Sequence, residues 1–418
     1  MAAAFGASIF LPSQYGGDLV LAEAWEGNGS AQVEDLEGKS PSGAVFGYHP
    51  IARPDIPGLY VSPDDEIPEL SARSAVVMDA GTGRVLYARD MKARRFPAST
   101  TKIMTLILAL ENSSPDEIVH IGPHAAGAEG STLWLQDGDE IPMGELLTGM
   151  MMRSGNDATI AVAEHIAGSV DAFAKKMTEK AKEIGAEDTS FVNSSGLPDE
   201  NHYTTAYDLA LIASYGYREV PHFEEIVSTK EIEYPWVKDE TKHLRNENQM
   251  LWLYHGANGV KTGYTEKAGR CLVSGAKQNG LQLVSVVLDS TYMWNDSIAL
   301  LDYGFQHVKA RTLFKAGETV TSFPVRKGKG GSVPVAAASD VTIPLQDGEQ
   351  EKDYEKHIEM RKNLQAPVRA GDVVGRLVLT YKGKPCYATD LFASRDVEKK
   401  SLFHTIWQTL QNIGRNGL

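Results

Sequence analysis

The sequence predicts an α+β protein: an antiparallel sheet with helices, then a small all-β domain and a C-terminal amphipathic helix. Three observations predict this class. Strand patterns stand at both ends of residues 71–313 with helical patterns between them, short strand patterns fill residues 314–395, and an apolar stripe of helical period lies in residues 396–418. Strands that flank a helical region are typical of an α+β domain, and a length of 418 residues favours more than one domain.

Residues 1–70 are predicted to be a leader. Residues 1–12 are small and apolar, and Ala22-Glu23-Ala24 resembles the cleavage site of a signal peptide. The first basic residue is Lys39, so this segment is either a signal peptide without its true start or a flexible tail. Residues 26–68 are rich in Gly, Ser, Pro and acidic residues, which favours an unstructured linker.

The first elements of the 71–313 domain are predicted to be a hairpin and a buried helix. Residues 75–79 are apolar and β-branched, and residues 84–88 return after a glycine-rich turn, which is the pattern of a β-hairpin. Residues 100–110 follow Pro97, which suits the entry to a helix. Beyond Lys102 this segment is apolar almost all round, which indicates a helix in the middle of its domain.

A second helical stretch is interrupted by a loop. Residues 143–152 are helical, the pattern breaks at Arg153-Ser154-Gly155-Asn156, and it resumes over residues 157–166. Gly155 permits a tight connection between two buried helices. The loop is therefore expected to present the Ser154 hydroxyl and the Asn156 amide.

The far end of the domain is predicted to be a second hairpin. Residues 270–276 and 281–288 are strand patterns joined by Asn279-Gly280, which is a strong hairpin signal. Lys261-Thr262-Gly263 then lies on or beside a strand of the sheet. Gly263 is expected to let a substrate backbone approach closely.

Three short strings carry the chemistry: Ser99-Thr100-Thr101-Lys102, Ser154-Gly155-Asn156 and Lys261-Thr262-Gly263. Ser99 and Lys102 are three residues apart, so their side chains share one face of a helix. A lysine at the start of a buried helix indicates a functional role, because burying its charge costs free energy. Each string alone has a structural alternative: Ser99 as an N-cap, the second string as a turn, and the third as a strand entry. Together, in this order, they indicate a serine acyl-transfer enzyme.

On these strings the chain resembles the low-molecular-mass penicillin-binding proteins, the serine-type D-alanyl-D-alanine carboxypeptidases of peptidase family S11. The resemblance covers about residues 71–395, and its further motifs are Arg95-Phe96-Pro97-Ala98, Asn193-Ser194-Ser195-Gly196-Leu197-Pro198, Tyr203-Thr204-Thr205-Ala206-Tyr207-Asp208 and the stretch 259–272. It implies a penicillin-binding-protein/β-lactamase-like transpeptidase domain in residues 71–313. It also implies removal of the terminal D-alanine from peptidoglycan pentapeptide stems, and β-lactam antibiotics as covalent inhibitors.

The resemblance further implies residue roles. Ser99 would be the nucleophile that forms an acyl-enzyme, Lys102 would take its proton, and Ser154 would relay a proton to the leaving amine. The backbone N–H groups of Ser99 and Tyr264 would form the oxyanion hole. The substrate-binding residues would be Asn156 for the peptide amide, Lys261 for the hydrogen-bond network, Thr262 for the terminal carboxylate, and Gly263 and Tyr264 beside them.

Three positions depart from the family pattern. Thr100 stands where a longer apolar residue is usual, and Tyr264 stands where some members have histidine. Close relatives place an arginine for the substrate carboxylate upstream of a Leu-Trp pair, but Glu247 occupies about that place here and Arg245 is nearby. The arginine that anchors the substrate is therefore left unassigned.

Two other functions share the three strings. A class A-like β-lactamase would carry a deacylating glutamate in an E-x-x-L-N string, which this sequence lacks, and the extra β domain also argues against it. A non-hydrolytic penicillin-binding sensor would keep the fold without turnover. The intact Ser99, Lys102 and Ser154 argue against a sensor.

Composition excludes several other classes of protein. The net charge of -14 argues against a nucleic-acid surface, which needs clustered positive charge. The sequence has no run of 18 apolar residues, so no spanning helix is predicted. Cys271 and Cys386 are expected to be free thiols. His120 and His124 are separated by Gly and Pro, so no metal site is predicted, and no cofactor is expected.

The remaining residues are predicted to form the β domain and an anchor. The short strands of the β domain are expected at residues 319–325, 332–335, 341–344, 357–360, 373–381 and 385–391. In residues 396–418, one helical stripe follows Lys399 and Lys400 and consists of Leu402, Phe403, Ile406, Trp407, Leu410 and Ile413. A basic-flanked amphipathic helix with Trp is typical of a membrane interface; the alternative is a helix packed on the β domain. The expected location is extracytoplasmic, on the outer face of the cytoplasmic membrane.

Overall fold

The computed structural model of the chain describes residues 19–21 as a strand and residues 68–236 and 242–400 in full. The strands are β1 Leu19–Leu21, β2 Ser74–Asp79, β3 Val85–Arg89, β4 Ile118–His120, β5 Glu140–Pro142, β6 Glu231–Glu233, β7 His243–Arg245, β8 Ala257–Thr265, β9 Gly269–Gln278, β10 Leu281–Ser290, β11 Lys309–Phe314, β12 Thr319–Pro324, β13 Ser332–Ala337, β14 Val341–Leu345, β15 Tyr354–Arg361, β16 Val373–Tyr381 and β17 Lys384–Ala393. The α-helices are α1 Lys102–Asn112, α2 Pro123–Ala126, α3 Met143–Arg153, α4 Asn156–Ala167, α5 Val170–Ile184, α6 Ala206–Glu219, α7 Phe223–Ser228, α8 Met250–Leu253 and α9 Met293–Gln306. Short 3-10 helices span Ala98–Thr101 and Glu351–Asp353.

An antiparallel sheet in the order β3-β2-β10-β9-β8 organises the N-terminal unit, which consists of residues 68–313 together with Thr342–Asp353. All of β2 is buried, as expected of a strand in the interior of a covered sheet. Asn279 and Gly280 both have positive φ angles, 51° and 84°, which fit the tight turn between β9 and β10. The two predicted hairpins are confirmed.

The helices lie between the strands in sequence, as predicted for an α+β domain. Residues 102–109 of α1 are all buried, and the helix packs against α3, α4, α5 and α6. The 3-10 helix that precedes α1 lies alongside β8, the last strand in the sheet order. The first and third motif strings therefore meet at one edge of the sheet.

The C-terminal unit, which consists of Phe314–Val341 and residues 354–400 among the described residues, is an all-β structure. Its sheet has the order β1-β15-β16-β17-β13-β12, with antiparallel pairs throughout. Val333, Val335, Leu377, Leu379 and Leu391 are fully buried in this unit. The predicted strands of this domain are present, and most extend by one to three residues beyond the predicted ends.

The boundaries differ from the sequence-based ones in two segments. Thr342–Asp353, predicted as part of the β domain, belongs to the N-terminal unit, where Arg84 donates hydrogen bonds to Pro344 O and to the side chains of Gln346 and Glu349. Within the predicted leader, Leu19–Leu21 pairs with β15. An edge strand exposes unpaired backbone groups, which is why a distant segment can add to it.

The first residues of the predicted anchor segment are not helical. Val397 is buried, and its N–H and C=O groups pair with those of Val368, so residues 396–400 belong to the β domain. The apolar stripe of residues 402–413 lies outside the described residues, as does the predicted cleavage site. Within the parts of the chain that are described, no helix combines the length and the apolar character needed to cross a membrane.

Candidate active site

Ser99 lies in the short turn that leads into α1 and is half-buried. Ala98, directly before it, has a φ angle of 48°, a left-handed conformation that residues other than glycine seldom adopt. The N-cap positions of this turn and of α1 are Pro97 and Thr101, and neither makes a side-chain cap hydrogen bond. Ser99 is thus not an N-cap, and its hydroxyl is presented at the start of the buried helix.

The Lys102 amine is held by three oxygen atoms. Lys102 Nζ lies 3.0 Å from Ser99 Oγ, 2.8 Å from Asn156 Oδ1 and 2.9 Å from the Ser195 carbonyl oxygen. The two carbonyl oxygens accept hydrogen bonds and cannot donate them. A neutral amine has two N–H groups and one lone pair, so giving both N–H groups to the carbonyls leaves the lone pair for the Ser99 hydroxyl. The geometry therefore directs the Ser99 proton towards Lys102.

Burial favours the neutral form of Lys102 that this geometry uses. The side chain is fully buried, which lowers its pKa well below the usual value, and the nearby positive charge of Lys261 lowers it further. Glu247 and Asp157 oppose this shift through their negative charges. A neutral lysine beside a serine hydroxyl is a general base with a hydrogen-bonded nucleophile.

The tight connection predicted between α3 and α4 consists of Ser154 and Gly155. Ser154, rather than Gly155, adopts the left-handed conformation, with φ 61° and ψ 30°. Gly155 is required for space, since a Cβ there would lie 2.7 Å from Asp157 Oδ1 and 2.8 Å from Leu133 Cγ. Among the described residues, the buried Ser154 Oγ has no hydrogen-bond partner. An unsatisfied buried hydroxyl costs about 1–3 kcal/mol, which a substrate group could recover.

Asn156 links Lys102 to the loop of residues 129–135. Its Oδ1 accepts from Lys102 Nζ, and its Nδ2 donates to the Glu129 carbonyl oxygen at 2.7 Å. The Glu129 carbonyl oxygen can only accept a hydrogen bond, so the amide nitrogen must face Glu129 and the amide oxygen must face Lys102. The second N–H of Nδ2 is left for a substrate carbonyl.

The Asn193–Gly196 loop supplies the Ser195 carbonyl. Asn193 Oδ1 accepts hydrogen bonds from the backbone N–H groups of Ser195 and Gly196, at 3.2 Å and 2.7 Å. A Cβ on Gly196, whose φ is +94°, would lie 1.8 Å from the Ala98 carbonyl oxygen. The loop is thus pressed against the Ser99 turn, and only glycine fits at its contact point.

Strand β8 brings the third string to the same place. A Cβ on Gly263 would lie 2.8 Å from the Ser99 backbone nitrogen, so only glycine leaves room for the Ser99 turn beside β8. The sequence did not predict this contact. Lys261 is buried, and burial lowers its pKa to about 8, while Glu247 acts in the opposite direction. Thr262 is half-buried and Tyr264 is 63% exposed.

Two family matches cover most of the described residues. Residues 61–291 match the peptidase S11 family, D-alanyl-D-alanine carboxypeptidase, and residues 309–399 match the C-terminal domain of penicillin-binding protein 5. The chain belongs to the peptidase S11 family. The predicted resemblance and the fold, a transpeptidase domain followed by a β domain, are confirmed.

Relatives of this family align with most of the chain. The D-alanyl-D-alanine carboxypeptidase DacF of Bacillus subtilis is 35% identical over 350 residues, which is 81% of this chain and 89% of the relative. DacB2 of Mycobacterium tuberculosis is 32% identical over 248 residues, 57% of this chain and 84% of the relative. The crystal structures of penicillin-binding protein 5 from Haemophilus influenzae include a chain that is 30% identical, with a TM-score of 0.59, covering 80% of this chain and 100% of its own.

This member of the S11 family has an acidic residue where an anchoring arginine was expected. Glu247 is tied to the end of α3 by its N–H bond to the Met152 carbonyl, and its carboxylate lies 4.0 Å from Arg153 Nε. Arg245 is held elsewhere, by Glu231 at 3.6 Å and by the ring of Trp252. The structure therefore places Arg153, and not Arg245, beside the position of Glu247.

The sequence did not predict the role of His202, which is hydrogen-bonded to the turn that contains Ser99. The Val192 N–H points to His202 Nδ1 at 3.2 Å, so Nε2 carries the ring proton and donates to Thr101 Oγ1 at 2.8 Å. Burial lowers the pKa of His202 to about 4, which keeps the ring neutral at neutral pH. A single histidine gives no spacing pattern, so the sequence offered no signal for this contact.

Proposed function

We propose that this chain hydrolyses the bond between the last two D-alanines of peptidoglycan pentapeptide stems through an acyl-enzyme on Ser99. The observation that carries the proposal is the Lys102 amine, buried and aimed at Ser99 Oγ by two carbonyl oxygens. The family, whose curated relatives are D-alanyl-D-alanine carboxypeptidases, supplies the substrate class.

In the acylation step, Ser99 Oγ attacks the carbonyl carbon of the penultimate D-alanine while its proton passes to Lys102 Nζ. The carbonyl oxygen becomes an oxyanion, which the N–H groups of Ser99 and Tyr264 stabilise, each donor being worth roughly 3 kcal/mol. Gly263 lies against the Ser99 nitrogen, so these two segments adjoin.

The tetrahedral intermediate then collapses. The C–N bond breaks as the leaving amine takes the proton that Lys102 Nζ accepted from Ser99. This proton is relayed by the Ser154 hydroxyl, which lacks a partner among the described residues. Water attacks the ester, Lys102 accepts one of its protons, and the proton returns to Ser99 Oγ as the C–O bond breaks. The products are a shortened stem and free D-alanine.

Strand β8 and the loop at Asn156 would hold the substrate. An extended peptide can add to the free edge of a sheet, and β8 ends the sheet order. The remaining Asn156 N–H would bind the stem carbonyl, and Thr262, with protonated Lys261, would receive the terminal carboxylate. A β-lactam ring would be opened by the same attack of Ser99, which makes these antibiotics covalent inhibitors.

The structure bears on both alternative functions. A class A-like β-lactamase activity is disfavoured because residues 309–399 match the penicillin-binding protein 5 C-terminal domain. A non-hydrolytic sensor is disfavoured because nothing in the Ser99–Lys102 pair is disrupted, with Nζ 3.0 Å from Oγ. The test is to incubate the chain with a D-alanyl-D-alanine pentapeptide and to measure released D-alanine. Covalent penicillin labelling without D-alanine release would support the sensor instead.

Replacing Glu247 with glutamine should shift the pH profile of kcat/KM to lower pH. The Glu247 charge raises the pKa of both Lys102 and Lys261, so its loss lowers both. Activity is lost at low pH as Lys102 becomes protonated, and at high pH as Lys261 loses its proton, near its pKa of about 8. Both limbs of the profile should therefore move in the same direction.

A matched control separates this local effect from a general change of charge. Glu231→Gln removes the same charge from a side chain of nearly equal exposure, 44% against 45% for Glu247, but one that pairs with Arg245. The control profile should coincide with that of the wild type. Equal shifts in the two variants, or no shift in Glu247→Gln, would show that Glu247 does not set the two lysine pKa values.

We also propose that residues 401–418 attach the protein to the outer face of the cytoplasmic membrane. The support is the apolar stripe from Leu402 to Ile413 with Lys399 and Lys400 before it. A helix of this composition binds through buried apolar area and through attraction to anionic lipids.

Removing residues 401–418 should yield an active enzyme that no longer binds membranes. The cut falls after Lys400 because Val397 is buried in the β domain. Full-length protein should sediment with anionic liposomes, less so in high salt, which screens the lysines. The shortened chain should stay in the supernatant with unchanged D-alanine release. Retention of the full-length protein in solution, or a lower melting temperature after truncation, would indicate a packed structural helix instead.

A further inference from the structure

Three large apolar side chains are exposed on segments that touch the candidate active site. They are Trp134, which is 56% exposed, Leu197, which is 46% exposed, and Tyr264, which is 63% exposed. Leu197 follows the loop whose Ser195 carbonyl accepts from Lys102, and Tyr264 follows Gly263, which abuts Ser99. We name these three side chains the apolar rim.

Trp134 is connected to the site by a clamped loop. The buried Asp157 carboxylate accepts from the N–H groups on both sides of Trp134, those of Leu133 at 2.8 Å and Leu135 at 3.1 Å. The same loop is held by Asn156, whose backbone N–H donates to the Ser131 carbonyl oxygen at 2.6 Å. The residue that bonds to Lys102 thus also fixes the position of the loop.

The conformation of Trp134 is unfavourable and yet exposes the ring. Its φ angle is 57°, in the left-handed region, which is an outlier for a bulky side chain. Strain of this kind persists where the surroundings impose it, and it clusters at binding and catalytic sites. Since the residue is more than half exposed, burial does not account for this arrangement.

We propose that the apolar rim, with Trp134 as its main contact, binds the sugar-bearing part of the peptidoglycan substrate on the acyl side of the scissile bond. This inference rests on the proposed function. The D-alanyl-D-alanine end is small, and enzymes use binding energy from remote parts of a substrate to promote the reaction. A flat indole face in solvent offers an apolar surface to the C–H face of a sugar ring. The substrate is favoured over another partner because all three rim segments adjoin groups of the catalytic site.

The test compares two substrates that end in the same D-alanyl-D-alanine. One is a free pentapeptide, and the other is that pentapeptide carried on its N-acetylglucosaminyl-N-acetylmuramyl disaccharide. Trp134→Ala should lower kcat/KM for the disaccharide substrate about tenfold, which equals about 1.4 kcal/mol. The value of kcat/KM for the free pentapeptide should stay within twofold of the wild-type value. Trp134→Phe should retain most of the wild-type preference.

The matched control is Tyr292→Ala, which removes an aromatic side chain of similar exposure, 66%, from a segment whose backbone bonds to Ser71. It should leave both substrates unchanged. An equal loss on both substrates in Trp134→Ala, or no loss on either, would overturn the role of the apolar rim alone. Wild-type protein that releases D-alanine from neither substrate would overturn the proposed function as well. Melting temperatures verify that each variant is folded.

Discussion

Ser99→Ala is expected to abolish both D-alanine release and covalent labelling by a fluorescent penicillin, while the fold survives. The substitution removes the only atom that the proposed mechanism joins to the substrate. Its cost in stability should be small, because the Ser99 side chain caps neither the 3-10 turn nor α1. The measurement is labelling by fluorescence after denaturing electrophoresis, with the melting temperature determined in parallel.

Ser169→Ala is the matched control for this experiment. Ser169 caps α5 by accepting from the Ala172 N–H at 3.2 Å, and loss of a cap costs about 1 kcal/mol. This control should be less stable than the wild type and still be labelled. Labelling that persists in Ser99→Ala would assign the acyl-enzyme to another nucleophile.

Lys102→Met is expected to slow acylation by about 10²–10⁴-fold, because the proton of Ser99 then has no base within reach. Methionine keeps the apolar stem in a fully buried position, where a truncation to alanine would also open a cavity. Asn156 Oδ1 and the Ser195 carbonyl both lose a donor, so some loss of stability accompanies the kinetic effect. Stopped-flow acylation by a chromogenic β-lactam gives the rate.

The control is Lys180→Met, since this lysine is also largely buried, with 13% of its side chain exposed, and its amine pairs with Glu111. It should acylate at the wild-type rate. A rate for Lys102→Met within a few-fold of the wild type would remove Lys102 from the mechanism. That result would also mean that the lone pair of the Lys102 amine, although directed at Ser99 Oγ, does not contribute to catalysis.

Local patterns predicted the sheet and the buried helix because each signal lies within a few residues. Asn279-Gly280 is sufficient for a hairpin, and the apolar run after Lys102 is sufficient for a buried α1. The pairing of Leu19–Leu21 with β15 joins residues more than 300 positions apart, so no local signal could reveal it.

The sequence predicted the motif residues of the candidate site but not the contacts that support them. Ser99 and Lys102 were placed together by helical spacing, and the structure brings Nζ within 3.0 Å of Oγ. The Ser195 carbonyl, which helps to orient Lys102, is a backbone group that any residue carries. Similarly, Gly155 was predicted to permit a tight connection, but the left-handed conformation of Ser154 was not predicted, nor were the contacts with Leu133 and Asp157 that leave no space for a Cβ at position 155.

The return of Thr342–Asp353 to the N-terminal unit limits how the two domains can be recombined. The domain boundary predicted from the sequence would place a cut after residue 313. Such a cut would remove Glu349, whose carboxylate lies 2.8 Å from the 3%-exposed Arg84 guanidinium, and breaking a buried pair costs about 3–5 kcal/mol. A chimera that exchanges C-terminal domains must therefore retain residues 342–353 as an insert, or replace Arg84 with an apolar side chain. The segments of the two units therefore alternate along the sequence.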